Sequence, residues 1–425
     1  MLFVICQVII LKHFEMRKLS SIILLVLMSI SEICLSQSGQ PLVNSKLAGK
    51  AHPSPYNLYG AQYPRIEADA RVTFRLTAPG AQKVQVSIAN VPFDMVRGDD
   101  GVWTYTSEPQ DLGYHNYWMI VDGAIVLDPA TDGFIGYSHM CNAFEIPDPD
   151  GGFYDLKDVP HGNVLIENYY SSVTGAWRMI YVYTPPDYEK NTSARYPVLY
   201  LQHGGGEDQR VWIEMGRTNL ILDNLIAEGK ARPFIVVMET SAAYKPGETP
   251  PQPRQMGAPA AGQRAPGAQP APPAPGQAAP GGQAARPRMG FSFDTYAELM
   301  IRDMIPYIDS NFRTLTGPSN RAMSGLSMGA MCTKSVTLAN PDTFGYIGLF
   351  SGGTIAPAEI SDKSNVKLVF MSYGSRERGS EGVKTAADAL NQAGIKSVSY
   401  VSPLTAHEFQ SWRRSLREFA QLLFK

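Results

Sequence analysis

The feature that most constrains this chain is the pentapeptide Gly325-Leu326-Ser327-Met328-Gly329. A serine set between glycines at this spacing marks a sharp strand-to-helix turn. Bulkier neighbours would collide there, and the serine hydroxyl is left exposed above the edge of a sheet. The flanking residues suit such a turn: Asn320 to Ser324 reads as the end of a strand and Ala330 to Asn340 as a helix. The helix N-terminus directs partial positive charge at the serine. Five residues recur by chance in unrelated chains, so the other parts of a reaction centre have to be sought elsewhere in the sequence.

The chain has 425 residues, 44% hydrophobic and 18% charged, enough for about two to three domains with a sizeable core. A formal charge of −2 argues against electrostatic binding to nucleic acid, which needs a basic surface. Near the start, Met16-Arg17-Lys18 precedes an apolar stretch from Ile22 to Ile30. This is the grammar of an export signal, too short to span a membrane comfortably. Cleavage is expected before Gln37, with residues 1–15 upstream sequence from an early start codon. A lipoprotein site at Cys34 is disfavoured by bulky Ile33, and a retained anchor is the bland alternative. The expectation is an exported protein, periplasmic or secreted, with no stable membrane span after processing. Cys141 and Cys332 are the cysteines left after cleavage, and two distant cysteines give neither a disulfide framework nor a metal spacing. Cys332 is read as a small buried hydrophobe. No metal or cofactor is expected.

Residues 37–61 lack periodicity and read as a flexible lead-in. From there to residue 147 short strands recur without helices between them, at Val72–Leu76, Val84–Ile88, Trp103–Thr106 and Tyr114–Val121. They predict a small all-β, immunoglobulin-like sandwich over 62–147. Its aromatics, Trp103, Tyr105, Tyr114, Tyr117 and Trp118, are read chiefly as core. Glycan binding and shaping one wall of a cleft both stand as roles for this domain.

Past the turn-rich Pro147 to Gly152, strands alternate with helices of 10–15 residues to the end of the chain. Residues 148–425 therefore predict a three-layer αβα domain on a mainly parallel sheet. The stretch 245–290 interrupts it, carrying 12 of the 32 prolines among Ala, Gly and Gln. Such composition buries too little apolar surface to order itself. A passive insertion and a flexible lid or tether are both compatible with it.

An acyl-transfer centre needs a base, a group to orient the base, and donors for an oxyanion. His407 follows the strand Ser397–Ser402 through a short loop, at the sheet edge where ligands bind. The other histidines of the processed chain fall in the lead-in (His52), the sandwich (His115, His139), the segment that follows the Pro147–Gly152 turn (His161) or the glycine loop discussed next (His203), so His407 is the expected base. Chain order places the acid after the strand Val366–Tyr373. Glu377 leaves that strand and is the first choice, with Glu381 second. The loop His203-Gly204-Gly205-Gly206 lets the backbone approach a substrate closely. The amides of Gly205, within one residue either way, and Met328 are the expected oxyanion donors. His203 is read as holding this loop in shape. Trp212 and Trp412 are candidates to line a site for an aromatic acyl group or sugar, with core packing equally compatible.

Residues 196–206 (YPVLYLQHGGG), 218–230 (TNLILDNLIAEGK), 306–313 (PYIDSNFR) and 321–329 (RAMSGLSMG) resemble carbohydrate esterase family 1. That family holds feruloyl and acetylxylan esterases on an esterase D-like α/β-hydrolase fold. Residues 63–147 resemble the family 48 carbohydrate-binding-module-like sandwich that precedes many of these enzymes. The resemblance implies a serine esterase with Ser327 as nucleophile, His407 as base and Glu377 as acid. It also implies feruloyl or acetyl esters of plant xylan, polysaccharide or oligosaccharide, as substrates. Ala330 stands where the family commonly has glycine, Thr405-Ala406 where it has a glycine pair, and Glu377 where it often has aspartate. A siderophore esterase of the enterobactin type shares the layout. A carbohydrate-binding protein with a decayed hydrolase domain is the alternative outside enzymes.

Overall fold

In the computed structural model, residues 50–248 and 292–425 are described; the expected export segment and nearly all of the proline-rich insertion lie outside them. The first half folds into eleven strands among the described residues. They are β1 (His52–Pro53), β2 (Arg65–Ile66), β3 (Val72–Thr77), β4 (Val84–Ile88), β5 (Val91–Asp94), β6 (Val96–Arg97), β7 (Val102–Thr106), β8 (Gly113–Val121), β9 (Ala124–Val126), β10 (Gly133–Gly136) and β11 (His139–Ile146). One antiparallel sheet runs β1-β2-β3-β7-β6. The other runs β10-β11-β8-β4-β5, with β9 paired to β8. Alternate residues point inward from both sheets, so Phe74 and Trp103 from one meet Val86, Tyr117, Met119 and Phe144 from the other in a single core.

Of the aromatics singled out in this domain, Trp103, Tyr114, Tyr117 and Trp118 are buried, and Tyr105 stacks on Phe93. The lead-in is corrected in its last part: β1 pairs with β2, and Tyr56 is buried. The Tyr56 ring packs edge-on to Tyr114 and Phe134, and its hydroxyl donates to Glu145. One anchoring tyrosine orders a segment that has no periodicity to betray it.

The second half contains β12 (Asn163–Ser171), β13 (Ala176–Thr184), β14 (Val198–Gln202), α1 (Val211–Glu214), α2 (Thr218–Ala227) and β15 (Ile235–Glu239). Next come α3 (Asp294–Leu299), which continues through a π-helical turn, Met300–Met304, into α4 (Ile305–Asn311). The chain ends with β16 (Arg321–Leu326), α5 (Met328–Ala339), β17 (Tyr346–Phe350), β18 (Leu368–Gly374), α6 (Ser380–Gln392), β19 (Ser397–Ser402) and α7 (Phe409–Ala420). These strands form one sheet in the order β12-β13-β15-β14-β16-β17-β18-β19. It is parallel from β15 to β19 and antiparallel at the β12 and β13 end. Central strands are buried along their whole length, as a sheet covered on both faces requires.

Leu199 and Leu201 face α2 and α7, whereas Val198 and Tyr200 face α3 and α4. The residues of β17 and β18 that point away from α7 pack on α6. Helices thus cover both faces, and the carboxyl ends of the parallel strands share one edge. Strand β12 was not apparent from the sequence because it is an edge strand, fully buried only at Tyr169 and Ser171.

The two halves meet along α7, which contacts β8 of the sandwich. Arg413 of α7 is completely buried. It donates to Glu145 at the end of β11 over 2.6 Å and to the Met215 carbonyl over 2.7 Å, and it lies 4.4 Å from the Tyr154 ring centre. Arg414 pairs with Asp148 at 2.9 Å, and Arg376 with Asp111 of the sandwich. A buried pair loses most when one partner is removed, because the other charge is then stranded. Glu145→Gln is therefore expected to cost about 3–5 kcal/mol in urea unfolding. The apolar pair Glu145→Ala with Arg413→Met should recover much of that. Equal losses in both variants would show that the charge pair does not govern the junction.

Candidate active site

Ser327 sits between β16 and α5 with φ 51° and ψ −115°, a conformation sterically costly for any residue with a Cβ. The surrounding packing enforces it. A Cβ on Gly329 would overlap the carbonyl oxygens of Gln202 and His203, and one on Gly325 would lie 2.5 Å from the Gly329 carbonyl carbon. Only glycines let α5 press this closely on the end of β14. The Ser327 amide donates to Phe350 at 2.8 Å, which pins the turn to the next strand.

His407 and Glu377 reach this serine from loops at the same sheet edge. His407 Nε2 is 2.9 Å from Ser327 Oγ, and His407 Nδ1 is 2.7 Å from Glu377 Oε2. With Nδ1–H donating to the carboxylate, Nε2 is left to accept the serine proton. The other Glu377 oxygen accepts from the Gly374 amide and the Ser351 hydroxyl, each at 2.7 Å. Ser351 in turn accepts from Trp412 Nε1 at 3.0 Å, while the His407 ring meets Trp412 edge-on at 5.1 Å. Burial works to raise the Glu377 pKa. The hydrogen bonds from His407, Ser351 and Gly374 outweigh it and hold this carboxyl below the usual glutamate range. Glu381 stands exposed in the first turn of α6 and makes no bond to His407.

The glycine loop after β14 lies opposite the nucleophile. Among the described residues, neither the Gly205 nor the Met328 amide has a protein acceptor, and Gly205 lies against the Met328 side chain. His203 is buried and bonds the Gly204 carbonyl through Nδ1 at 2.7 Å, while its Nε2 accepts from the Ser241 amide at 3.2 Å. Burial lowers its pKa, so it stays neutral and braces the loop. Glu207 folds back to accept from the Gly204 amide at 2.8 Å, and burial pushes its carboxyl up to about 7.

A cavity of about 350 Å³ opens beside Ser327, walled by Trp412, Phe409 and Leu326 and by Tyr114 and Tyr137 of the sandwich. Trp412 is at this wall, and its N–H serves the acid through Ser351. The expectation for Trp212 is corrected. It is fully buried between Phe350 and Phe409, with its N–H on the Gln202 carbonyl. A single tryptophan in a short helix carries no sign of which way it faces, and here it is a core wedge beneath the glycine loop. Sequence reasoning missed Ser351, a lone serine after a strand, and Glu207, although a carboxylate one residue past three glycines is a visible cue. It also missed which sandwich residues reach the cavity. Among the described residues no three His, Cys, Asp or Glu side chains gather as a metal site would. Cys141 and Cys332 are free and buried, and among the described residues no helix is long and apolar enough to cross a membrane.

The family model described as "Putative esterase" matches residues 171–267 and 276–417, more than half of the chain. An endo-1,4-beta-xylanase/feruloyl esterase of Xylanibacter ruminicola is 39% identical over 382 residues, which are 88% of this chain and 47% of that protein. The chain thus spans about half the length of that relative. Among solved structures, a CE1 ferulic acid esterase of Anaeromyces mucronatus aligns with TM-score 0.50 and 23% identity, over 65% of this chain and 96% of its own. An enterochelin esterase of Shigella flexneri aligns with TM-score 0.57 and 15% identity, over 83% and 91%. At those identities the structures show the fold, an α/β-hydrolase.

Because folding depresses the Glu377 pKa, its ionised form stabilises the native state. That contribution is complete above the unfolded glutamate pKa of about 4.3 and is lost as pH falls through the lower folded value. In urea unfolding the wild type is expected to exceed Glu377→Gln in stability at neutral pH, and the gap to close below about pH 4. A gap independent of pH would contradict this account of the carboxylate.

Proposed function

Since the chain belongs to the putative esterase family, we propose that it is an exported serine carboxylic-ester hydrolase acting on feruloyl or acetyl groups of xylan. The observation that carries the chemistry is the unbroken line from Glu377 through His407 to Ser327, with two acceptor-free amides alongside. Ser327 Oγ attacks the ester carbonyl carbon while His407 Nε2 takes its proton. The Gly205 and Met328 amides stabilise the oxyanion of the tetrahedral intermediate, and each such donor is worth about 10²–10³ in rate. Collapse expels the alcohol with the proton returned from His407, leaving an acyl group on Ser327. Water, deprotonated by His407, then releases the acid and restores the serine. Glu377 fixes the tautomer of His407 and stabilises its imidazolium form. Ser351 and the Gly374 amide hold that carboxylate in place.

Support for the substrate comes from the Xylanibacter ruminicola relative, which carries feruloyl esterase in its name, and from the aromatic wall of the cavity. Support for export is the basic-then-apolar pattern from Met16 to Ile30. Support for reading the N-terminal domain as immunoglobulin-like and carbohydrate-binding-module-like is its pair of facing antiparallel sheets.

Purified protein is expected to release ferulate from methyl ferulate or acetate from acetylated xylan. Ser327→Ala should lower kcat by about 10³-fold or more without loss of fold by circular dichroism. Undiminished turnover by Ser327→Ala would remove the assignment. Cleavage of a cyclic triserine ester alone would move the substrate to the siderophore class.

A further inference from the structure

The cavity beside Ser327 is bounded by both domains, and the piece of the sandwich nearest the chemistry is the hairpin between β10 and β11. Gly136 pairs with His139, which leaves Tyr137 and Ser138 as a two-residue turn. Their φ angles are 53° and 67°. A turn of this hand favours Asn-Gly, because both central residues must adopt positive φ. A tyrosine there is unfavourable for the hairpin itself, and such an outlier points to a role outside local folding.

The contacts say what the turn does. The Ser138 amide donates to the Gly206 carbonyl at 3.0 Å, so the hairpin is fastened to the loop that offers the Gly205 amide. The Tyr137 ring rests 5.4 Å from the Trp118 ring, on the sandwich side, and Tyr137 lines the cavity with Ser327 and His407. It is 41% exposed, and its hydroxyl has no hydrogen-bond partner among the described residues. Burial, followed by Cys141 and the carboxyl groups of Glu207 and Glu408, raises its pKa, so the phenol keeps its proton and both carboxyls lie within electrostatic reach. Each of these carboxyls spends one oxygen on a loop amide, Gly204 and Ala406 respectively. The second oxygen of each takes no protein donor among the described residues.

Resting on the esterase assignment, we propose that Tyr137 of the N-terminal domain is a specificity-determining residue, its phenol recognising a hydroxyl group of the ester bound at Ser327. A phenol both donates and accepts, and Glu207 and Glu408, which line the same cavity, accept through their second oxygens when ionised. A hydroxyl-bearing ligand is the neutral partner this set can satisfy. Two parts of a feruloylated sugar carry hydroxyls: the phenolic ring of the acyl group and the sugar of the leaving alcohol. The N-terminal domain thereby contributes to substrate choice at the catalytic cleft itself, in addition to its packing on α7.

The test is a pair of kcat/KM ratios measured for the wild type and Tyr137→Phe, which keeps the ring and its packing on Trp118. Methyl para-coumarate against methyl cinnamate isolates the phenolic hydroxyl. Feruloyl arabinofuranose against methyl ferulate isolates the sugar. Loss of the phenol is expected to reduce one of these ratios about five- to tenfold, the size of one hydrogen bond. The ratio that falls identifies the source of the hydroxyl. Both ratios unchanged in Tyr137→Phe would overturn the proposal. Tyr137→Asn, which suits the turn, is expected to show the same lowered ratio with a thermal midpoint no more than slightly changed. If Tyr137→Asn kept both wild-type ratios, Tyr137 would not be a determinant. A wild type inactive on all four esters would overturn the feruloyl reading and this proposal with it, a result told apart by the absence of any turnover to compare, while acetate release from acetylated xylan would leave the esterase assignment standing.

Discussion

The close approach of α5 to the end of β14 is the contact on which the rest of this site depends. Gly329 lies against the carbonyl groups of Gln202 and His203, so the nucleophile turn and the glycine loop are packed as one unit. That contact holds Ser327 in a backbone conformation it would not adopt alone. It also sets the distance between the serine and the amides opposite. The strain is local, and the buried strands of the parallel sheet on either side supply the rigidity that sustains it.

The base and acid are held by a second, more polar arrangement. His407 is half exposed, so its orientation cannot come from packing alone. It comes from Glu377, which is itself fixed by the Gly374 amide and by Ser351. Ser351 is in turn oriented by Trp412 of α7. The same helix carries Arg413, buried against Glu145 of the sandwich. A single helix therefore links the domain junction to the acid of the site, and it begins two residues after His407. The N-terminal domain is coupled to the chemistry through α7 and again through the hairpin fastened to Gly206.

Much of this was legible in the sequence because it rests on local rules. The glycine spacing around Ser327 follows from steric exclusion, and the alternation of buried strands with helices follows from a sheet covered on both faces. Chain order pointed to His407 and Glu377, and the structure brings both to Ser327. What the sequence did not reveal depends on contacts between distant segments. Trp212 proved to be core, since a tryptophan in a four-residue helix has no period to mark its face. Tyr56 orders the lead-in through Tyr114, Phe134 and Glu145, all more than fifty residues away. Edge strand β12 lacks an apolar period. Ser351, Glu207 and Tyr137 acquire their positions only when separate loops converge.

The central claim is that Ser327 is the activated nucleophile, and labelling tests it most directly. A fluorophosphonate transfers its phosphonyl group to an activated serine oxygen and releases fluoride. Intact-mass measurement after incubation should show one adduct, and peptide mapping should place it on Ser327. Labelling should be slowed strongly in His407→Ala, which lacks the group that takes the serine proton. An adduct on another residue, or no adduct on correctly folded protein, would contradict the account.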